Sequence, residues 1–319
     1  MKRLRKMAGS LITAFAICFL FANVLNVQAY TRENKVKDAV YIDAVRNAKG
    51  KWVNNTKRRI DTFSIEQIKV EFAVNGTIRN LKSNKKGLEV KQTEYDADAG
   101  SHYLYDANSN YIGSFDYGTA EISLYATKAG SYKVTFDVYN QAGVKLKKCT
   151  VNILAANDND VIKTATLGKT KLRTSKATVK NGELTLSKSS INKVSAKSGK
   201  LKVTGNAKYK ITGLVVSGVN KNGKEYFKKY KNGKNIALSQ AYEYSERDAN
   251  GSSSRTSKKY TYIYVSYKDT FTGDSVTYNV TQKRGKKEVV CTSKNKLTGV
   301  TKTTYNDEDS ISVITLWNY

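Results

Sequence analysis

The sequence predicts an all-β protein with two β-rich domains that follow an N-terminal signal peptide. From about residue 60 onwards, short segments alternate apolar and polar residues, and this period of two is that of a β-strand. Turn-forming pairs such as Asn75-Gly76 and Asn232-Gly233 separate the segments, as expected between hairpin strands. Many short strands at regular spacing are typical of a sandwich or a barrel.

Residues 1–29 have the composition of a secretory signal peptide. Four basic residues lie within the first six positions, an apolar stretch runs from Leu11 to Val24, and small residues at Val27 and Ala29 mark a cleavage site. The apolar stretch is short for a membrane span of roughly 20 residues, although an uncleaved anchor is the alternative. We therefore predict a secreted, extracellular protein that begins near Tyr30 and has no later transmembrane segment.

Four further segments follow the signal peptide. Residues 30–59 form a polar lead-in, residues 60–156 a first β domain, residues 157–161 a polar linker and residues 162–319 a basic β-rich domain with no repeat of the first. In the lead-in, helix-like spacing of apolar side chains makes a short helix an option: Val36, Val40, Tyr41, Ala44 and Val45.

One stretch of the first β domain is more specific. ATKAGSYKVTFDVYNQAGVKLKKCTVNI has three apolar side chains on one strand face: Val134, Phe136 and Val138. A hairpin turn follows at Asn140–Gly143, and Tyr132 stands where a tyrosine corner ties a strand end to the backbone. The stretch resembles the last two strands of bacterial immunoglobulin-like (Big-type) domains of secreted and cell-surface proteins from low-GC Gram-positive-like bacteria. The resemblance covers roughly residues 66–155 and implies an immunoglobulin-like β-sandwich, without implying catalytic residues.

The positive charge is concentrated in the second half of the chain. The sequence has 55 Lys and Arg against 27 Asp and Glu, and residues 157–319 contribute a net +18 compared with +6 for residues 30–156. A basic surface on an exported protein attracts anionic wall polymers, acidic polysaccharides or lipid headgroups, and we do not expect nucleic acid as a partner. Codon bias in an AT-rich genome is the alternative explanation, because lysine, asparagine and tyrosine are frequent and proline is absent.

The sequence has no catalytic motif, and we predict a non-enzymatic protein without a cofactor or a metal site. His102 is the single histidine, so a triad or a histidine metal site would have to use it. A carboxylate pair for glycoside hydrolysis meets only in space, which leaves a carbohydrate-active enzyme as an alternative. Asp106–Asn110 and Asn157–Asp160 carry side-chain oxygens as calcium loops do, but they lack a full ligand set and are interpreted as an Asx-rich turn and a solvated linker.

Two cysteines follow the signal peptide, one in each predicted domain. Both alternate with apolar strand neighbours, and an immunoglobulin intersheet disulfide would need two cysteines in one domain. We therefore predict that Cys149 and Cys291 are reduced and buried, with an interdomain disulfide as the alternative.

The candidate binding site lies in KKYTYIYVSYKDTFTGDSVTYNVTQKR, residues 258–284. Tyr260, Tyr262 and Tyr264 share one face of a strand, because alternate side chains point the same way. A four-residue hairpin loop sets a register with three cross-strand pairs: Tyr267–Val276, Val265–Tyr278 and Ile263–Val280. This register leaves the three tyrosines on the wetter face of the hairpin.

The exposed tyrosines would form a strip on which sugar rings or a peptide could stack. Lys258, Lys259 and Lys283 would form its rim, and Trp317 and Tyr319 could extend it. The structural alternative is that tyrosine simply suits strands, or that another strand covers this face.

Together these features predict a secreted or cell-surface binding or adhesion protein. Its expected partner is an anionic cell-wall polymer or a glycan, held by the basic residues 162–319 and released by salt. A carbohydrate-active enzyme, a sugar-binding accessory module or a structural spacer are the alternatives.

Overall fold

The computed structural model describes residues 34–106, 108–157, 160–174, 177–180, 183–186, 191–240, 242–247, 253–258, 260–283, 285–305 and 312–318. All helical or extended secondary structure in these ranges is β-strand, which confirms the all-β prediction. The predicted signal peptide lies outside them, and within them no helix has the length and apolarity to cross a membrane. Two compact units divide the chain between Asn157 and Asp158, except that Lys180–Leu184 group with the first unit.

Residues 34–157 of the first unit contain ten strands. They are β1 (Tyr41–Ile42), β2 (Val45–Arg46), β3 (Trp52–Val53), β4 (Lys57–Asp61), β5 (Ile65–Ala73), β6 (Thr77–Ser83), β7 (Leu88–Tyr105), β8 (Tyr111–Ala126), β9 (Gly130–Tyr139) and β10 (Lys145–Ala156). One sheet has the order β1-β5-β8-β7 and the other the order β4-β10-β9-β6. Buried side chains from both sheets form a single core, which makes the unit a β-sandwich.

The strand order of this sandwich is that of an immunoglobulin domain. β4 runs parallel to β10 at the edge of one sheet, while β1 pairs with β5 at the edge of the other. The N-terminal part of the domain therefore supplies one edge strand to each sheet. The predicted tyrosine corner is also present, because the Tyr132 hydroxyl donates a hydrogen bond to the Lys128 carbonyl at 2.7 Å. The predicted turn at Asn140–Gly143 closes with a bond from the Gly143 amide to the Asn140 carbonyl.

The lead-in of residues 30–59 is not helical where it is described. Residues 34–59 instead contain β1, the β2–β3 hairpin and the start of β4. Val40 and Ile42 are both buried in the sandwich core, two residues apart, as a strand requires. The prediction of a short helix is therefore wrong. Five apolar residues are too few to distinguish the period of a helix from that of a strand, and the pairing of β1 with β5 makes this segment a strand.

Residues 160–318 form sixteen further strands. They are β11 (Ile162–Leu167), β12 (Thr170–Leu172), β13 (Ala177–Lys180), β14 (Glu183–Leu186), β15 (Ile191–Val194), β16 (Ser198–Gly205), β17 (Tyr209–Val219), β18 (Glu225–Tyr230), β19 (Asn235–Ala237), β20 (Tyr242–Arg247), β21 (Ser253–Lys258), β22 (Tyr260–Asp269), β23 (Ser275–Lys283), β24 (Lys286–Lys294), β25 (Thr301–Tyr305) and β26 (Val313–Asn318). A four-stranded sheet has the order β12-β11-β16-β19. An eight-stranded sheet follows the order β15-β26-β22-β23-β24-β25, and β17 joins it through β22 and carries β18.

Two hydrophobic clusters fill the second unit, one on each side of β17 and β22. Leu214 and Ile263 belong to the larger cluster, whereas Val215 and Tyr264 belong to the smaller one. The central strands of the large sheet are thus apolar on both faces, which is the pattern of a fully buried strand.

Candidate functional site

The three predicted tyrosines occupy different environments along β22. Tyr260 is 41% exposed, Tyr262 is half-buried and Tyr264 is only 2% exposed. The Tyr264 ring lies in the smaller cluster, with its centroid 5.4 Å from that of Tyr278. The prediction of one exposed tyrosine strip is therefore wrong at Tyr264, because other strands cover the face that we expected to be wet.

The predicted hairpin register holds only next to the turn. Tyr267 pairs with Val276, as predicted. Ile263 does not pair with Val280, because its two edges are taken by Val216 of β17 and Ile314 of β26. β23 therefore leaves β22 after two paired positions, and β26 takes its place beside Tyr260 to Tyr264.

The predicted lysine rim is not assembled around the tyrosines. Lys258 ends β21, and its side chain, like the whole of Lys259, lies outside the described residues. Lys283 is exposed at the end of β23, where its ammonium lies 4.7 Å from the centre of the Tyr305 ring. Trp317 does pair with Tyr260 across β26 and β22, as an extension of the strip requires, while Tyr319 lies outside the description.

The parting of β22 and β23 opens a groove instead. Its walls are β17, the end of β18, β22 and β23, and its volume is about 520 Å³. A bulge in β17 between Ile211 and Gly213 bends that strand at the groove. Where direct pairing of β22 with β23 stops, the Ser266 hydroxyl accepts a hydrogen bond of 2.9 Å from the Tyr278 amide and keeps the two strands together.

The groove is cationic and rich in hydroxyl groups. Three exposed lysines line it, Lys229, Lys231 and Lys268, and no carboxylate is among its described lining residues. None of the three forms an ion pair within the described chain, and the Lys229 ammonium donates only to the Asn279 side-chain oxygen, at 2.9 Å. Burial, followed by the nearby Tyr209, raises the pKa of Tyr267 well above its usual value, so this phenol remains a hydrogen-bond donor.

Such a lining can bind an anion, and its described residues include no carboxylate and no histidine. Ammonium and hydroxyl groups donate hydrogen bonds to phosphate or carboxylate oxygens. Local sequence reasoning missed Lys229, in β18, and Lys231, which follows the end of that strand at Tyr230. What it could not supply is the approach of β18 to β23, which are about 50 residues apart.

His102 lies in a packed cluster of the first unit. Its Nε2 is 2.6 Å from Glu71 Oε1, and its ring stacks on Tyr117 with centroids 4.1 Å apart. Lys35 donates to the other Glu71 oxygen at 2.6 Å. The imidazole is thus held between a carboxylate and a phenol ring, and among the described residues no group of three or more His, Cys, Asp or Glu side chains forms a metal site.

The Asp106–Asn110 segment is an Asx-rich turn, as predicted. The Asp106 carboxylate accepts hydrogen bonds from the amide and side chain of Asn110 and from the Asn108 amide, at 2.8–3.0 Å. These bonds, led by the Asn110 side chain, hold the pKa of Asp106 below its usual value. The carboxylate is therefore committed to the turn between β7 and β8. The other calcium candidate, Asn157–Asp160, falls largely outside the described residues.

Cys149 and Cys291 are both thiols and both buried, as predicted. Cys149 lies in the sandwich core, where burial raises the pKa of its thiol to about 11. Cys291 lies in the smaller cluster of the second unit. Neither is placed to act as a nucleophile, because a reactive cysteine needs an exposed thiol with a lowered pKa.

Comparison with known proteins gives no family. No family model matches the chain, and no curated protein does. Among solved structures, the C-terminal domain of the Streptococcus agalactiae AgI/II polypeptide BspA aligns with 88% of this chain and 100% of its own, at 9% identity and a TM-score of 0.25. The Bacteroides ovatus mixed-linkage glucan utilization protein SGBP-B, in complex with a heptasaccharide, aligns with 89% of this chain and 71% of its own, at 11% identity and a TM-score of 0.15. At such TM-scores the fold is defined by the strand pairing within this chain.

Proposed function

We propose that this protein is a secreted, non-enzymatic binding protein that holds an anionic envelope polymer in the groove of its second unit. The observation that carries the proposal is the lining itself, in which three exposed lysines have no ion-pair partner within the described chain and no carboxylate stands beside them. A polyanion supplies that partner. The proposal includes a bacterial cell-surface setting of the Big-type class, in which the immunoglobulin sandwich carries the binding unit.

The shape of the groove favours a polymer segment over a compact metabolite. Its volume of about 520 Å³ is in the range of small-molecule sites, but the three lysines on its walls are all exposed to solvent. A few units of a chain can therefore lie along the lysines while the rest continues into solvent. Tyr267 and Ser275, whose side chains carry hydroxyl groups, also line the groove.

Long-range charge supports the same partner. The +18 net charge of residues 157–319 creates a positive field that concentrates polyanions around the unit. Exposed ionic contacts act over roughly 8 Å at physiological salt but only about 3 Å at 1 M. The protein is therefore expected to remain on cell walls in dilute buffer and to be released by a molar salt wash.

The test is retention of the full secreted chain on purified anionic wall polymer. We expect Lys229→Gln, Lys231→Gln and Lys268→Gln together to weaken retention about tenfold at low salt, since three exposed ionic contacts contribute roughly 1–2 kcal/mol. A matched control replaces three exposed lysines of β11 and β16 by glutamine, Lys163, Lys200 and Lys202, and lowers the net charge equally.

The control separates a groove from diffuse charge. Equal losses in both triple variants would contradict the groove and assign binding to net charge alone. Retention that survives 1 M salt would contradict the anionic partner and favour aromatic stacking on a neutral glycan.

A further inference from the structure

The first unit contains a long segment without a single lysine or arginine. Residues 92–127 have six acidic residues and no Lys or Arg, whereas 55 basic residues in 319 would place about six there. Codon bias spreads lysine along a chain, so it does not explain this gap. The segment covers most of β7 and β8 with the turn between them, and we call it the acidic arm.

The end of the acidic arm exposes apolar and aromatic side chains. Tyr103, Tyr111 and Ile112 are 61%, 59% and 62% exposed. The Tyr111 ring centroid lies 6.3 Å from that of Tyr103 and 6.2 Å from that of Tyr105. Singly exposed apolar residues are normal on a surface, but a contiguous cluster marks an interaction site.

This cluster is held in a fixed shape before any partner binds. The Asp106 carboxylate orders the turn through its three hydrogen bonds to Asn108 and Asn110. The Asn34 side chain donates to the Tyr105 carbonyl at 2.7 Å and accepts from the Tyr105 amide at 3.3 Å. A preorganised surface loses less conformational entropy on binding than a mobile one.

The chemistry of the arm selects a cationic partner. Tyrosine faces attract ammonium groups, and the same arm carries the exposed Asp98 and Asp116, of which Asp116 lies opposite Ser101 in the hairpin. This chain already uses the same contact, with the Lys85 ammonium 4.8 Å from the Tyr132 ring centre. The net negative charge of the arm repels a polyanion and favours a cationic partner over a neutral sugar.

We propose that the acidic arm of one copy docks on the lysine-lined groove of a second copy. Charge complementarity supports a second copy as the partner, because the arm has no basic residues and residues 157–319 have a net charge of +18. Every copy of the chain has both surfaces. The contact joins two different surfaces and therefore builds head-to-tail chains. The inference rests on the proposed function, since arm and polymer compete for the same groove, and free polyanion disperses the chains.

The experiment measures the mass of the full secreted chain by analytical ultracentrifugation. The contact of a hairpin tip is small, so protein concentrations of roughly 0.1–1 mM in low salt are appropriate. We expect the weight-average mass to rise at least about twofold over this range and to return to that of the monomer in 1 M salt. The arm variant combines Tyr103→Ser, Tyr111→Ser and Asp98→Lys, and the groove variant is the triple glutamine substitution above.

Mixing the two variants gives the decisive result. Each alone remains monomeric, but the arm variant keeps an intact groove and the groove variant keeps an intact arm. An equimolar mixture is therefore expected to form a one-to-one dimer and nothing larger. A control with Ile65→Ser, Val144→Ser and Glu89→Lys, all exposed in the first unit outside the arm, should associate like the unaltered protein.

Three outcomes would overturn the inference. They are an unaltered protein that is monomeric throughout, an arm variant that associates normally, and a mixture that stays monomeric. Polymer retention is measured on the same samples. The arm variant should retain polymer fully, so a failure of self-association with intact, groove-dependent retention rejects this inference and leaves the proposed function standing.

Discussion

Truncation of the three tyrosines of β22 should destabilise the second unit in a steep gradient. Tyr264→Ala removes a ring that is 2% exposed and packs 5.4 Å from Tyr278. Deleting a buried aromatic side chain costs about 3–5 kcal/mol, of which the aromatic pair contributes about 0.5–1.5 kcal/mol. Tyr260→Ala should cost less than about 0.5 kcal/mol, because that side chain is 41% exposed, and Tyr262→Ala should lie between them.

Urea denaturation measures this gradient directly. In a Trp52→Phe background, the fluorescence of Trp317 on β26 reports unfolding of the second unit alone. With a slope of about 2 kcal/mol per molar urea, a loss of about 4 kcal/mol shifts the midpoint by about 2 M. Tyr264→Phe is the matched control, since it keeps the ring packing and should lose only a small part of this stability.

A flat series would refute the reasoning. If Tyr264→Ala and Tyr260→Ala had the same midpoint, the tyrosines would share one solvent-exposed face, as the hairpin register alone predicts. A large loss for Tyr264→Phe would instead assign the stability to the hydroxyl and not to the packing of the ring.

Two further predictions concern the first unit. Tyr132→Phe removes the bond to the Lys128 carbonyl and should lower the free energy of unfolding of the sandwich by about 1 kcal/mol, and an unchanged urea midpoint would show that the corner is not stabilising. Cys149 should resist thiol labelling at pH 8 in the native protein and react fully in denaturant, because burial raises its pKa to about 11 and leaves the reactive thiolate scarce below that pH. Rapid labelling of Cys149 in the native protein would contradict its burial.

Much of the first unit could be predicted from local sequence. The alternation of Val134, Phe136 and Val138 predicts a strand, and these residues lie in β9. The alternation is interrupted near Asp96, however, although the residues on both sides belong to the 18-residue β7, which has a register shift between Asp96 and Gly100. Such irregularities leave a gap in the alternation that resembles a turn.

The second unit could be predicted much less well, because its register depends on distant strands. The turn after Asp269 correctly sets the pair Tyr267–Val276. Beyond that pair, β22 pairs with β17 on one side and β26 on the other, each about 50 residues away in sequence. No local pattern indicates these distant pairings. A strand that is apolar on both faces, as YTYIYV is when tyrosine counts as apolar, was the available signal for burial.

The groove exists because β22 cannot pair with β23 and β26 over the same residues. β26 pairs with Tyr260 to Tyr264 of β22, and β23 pairs with Tyr267. Between these two stretches, a side chain and not a backbone pair connects β22 to β23. Ser266 provides this connection, because its hydroxyl accepts a hydrogen bond from the Tyr278 amide. Its small side chain leaves the groove open. Gly213 of β17 pairs with Ser266 and lines the same groove, and no atom lies within 4 Å of the position that a Cβ would occupy there. Two small residues at the point where the strands part, with lysines on both walls, therefore make the position an open groove and not a packed core.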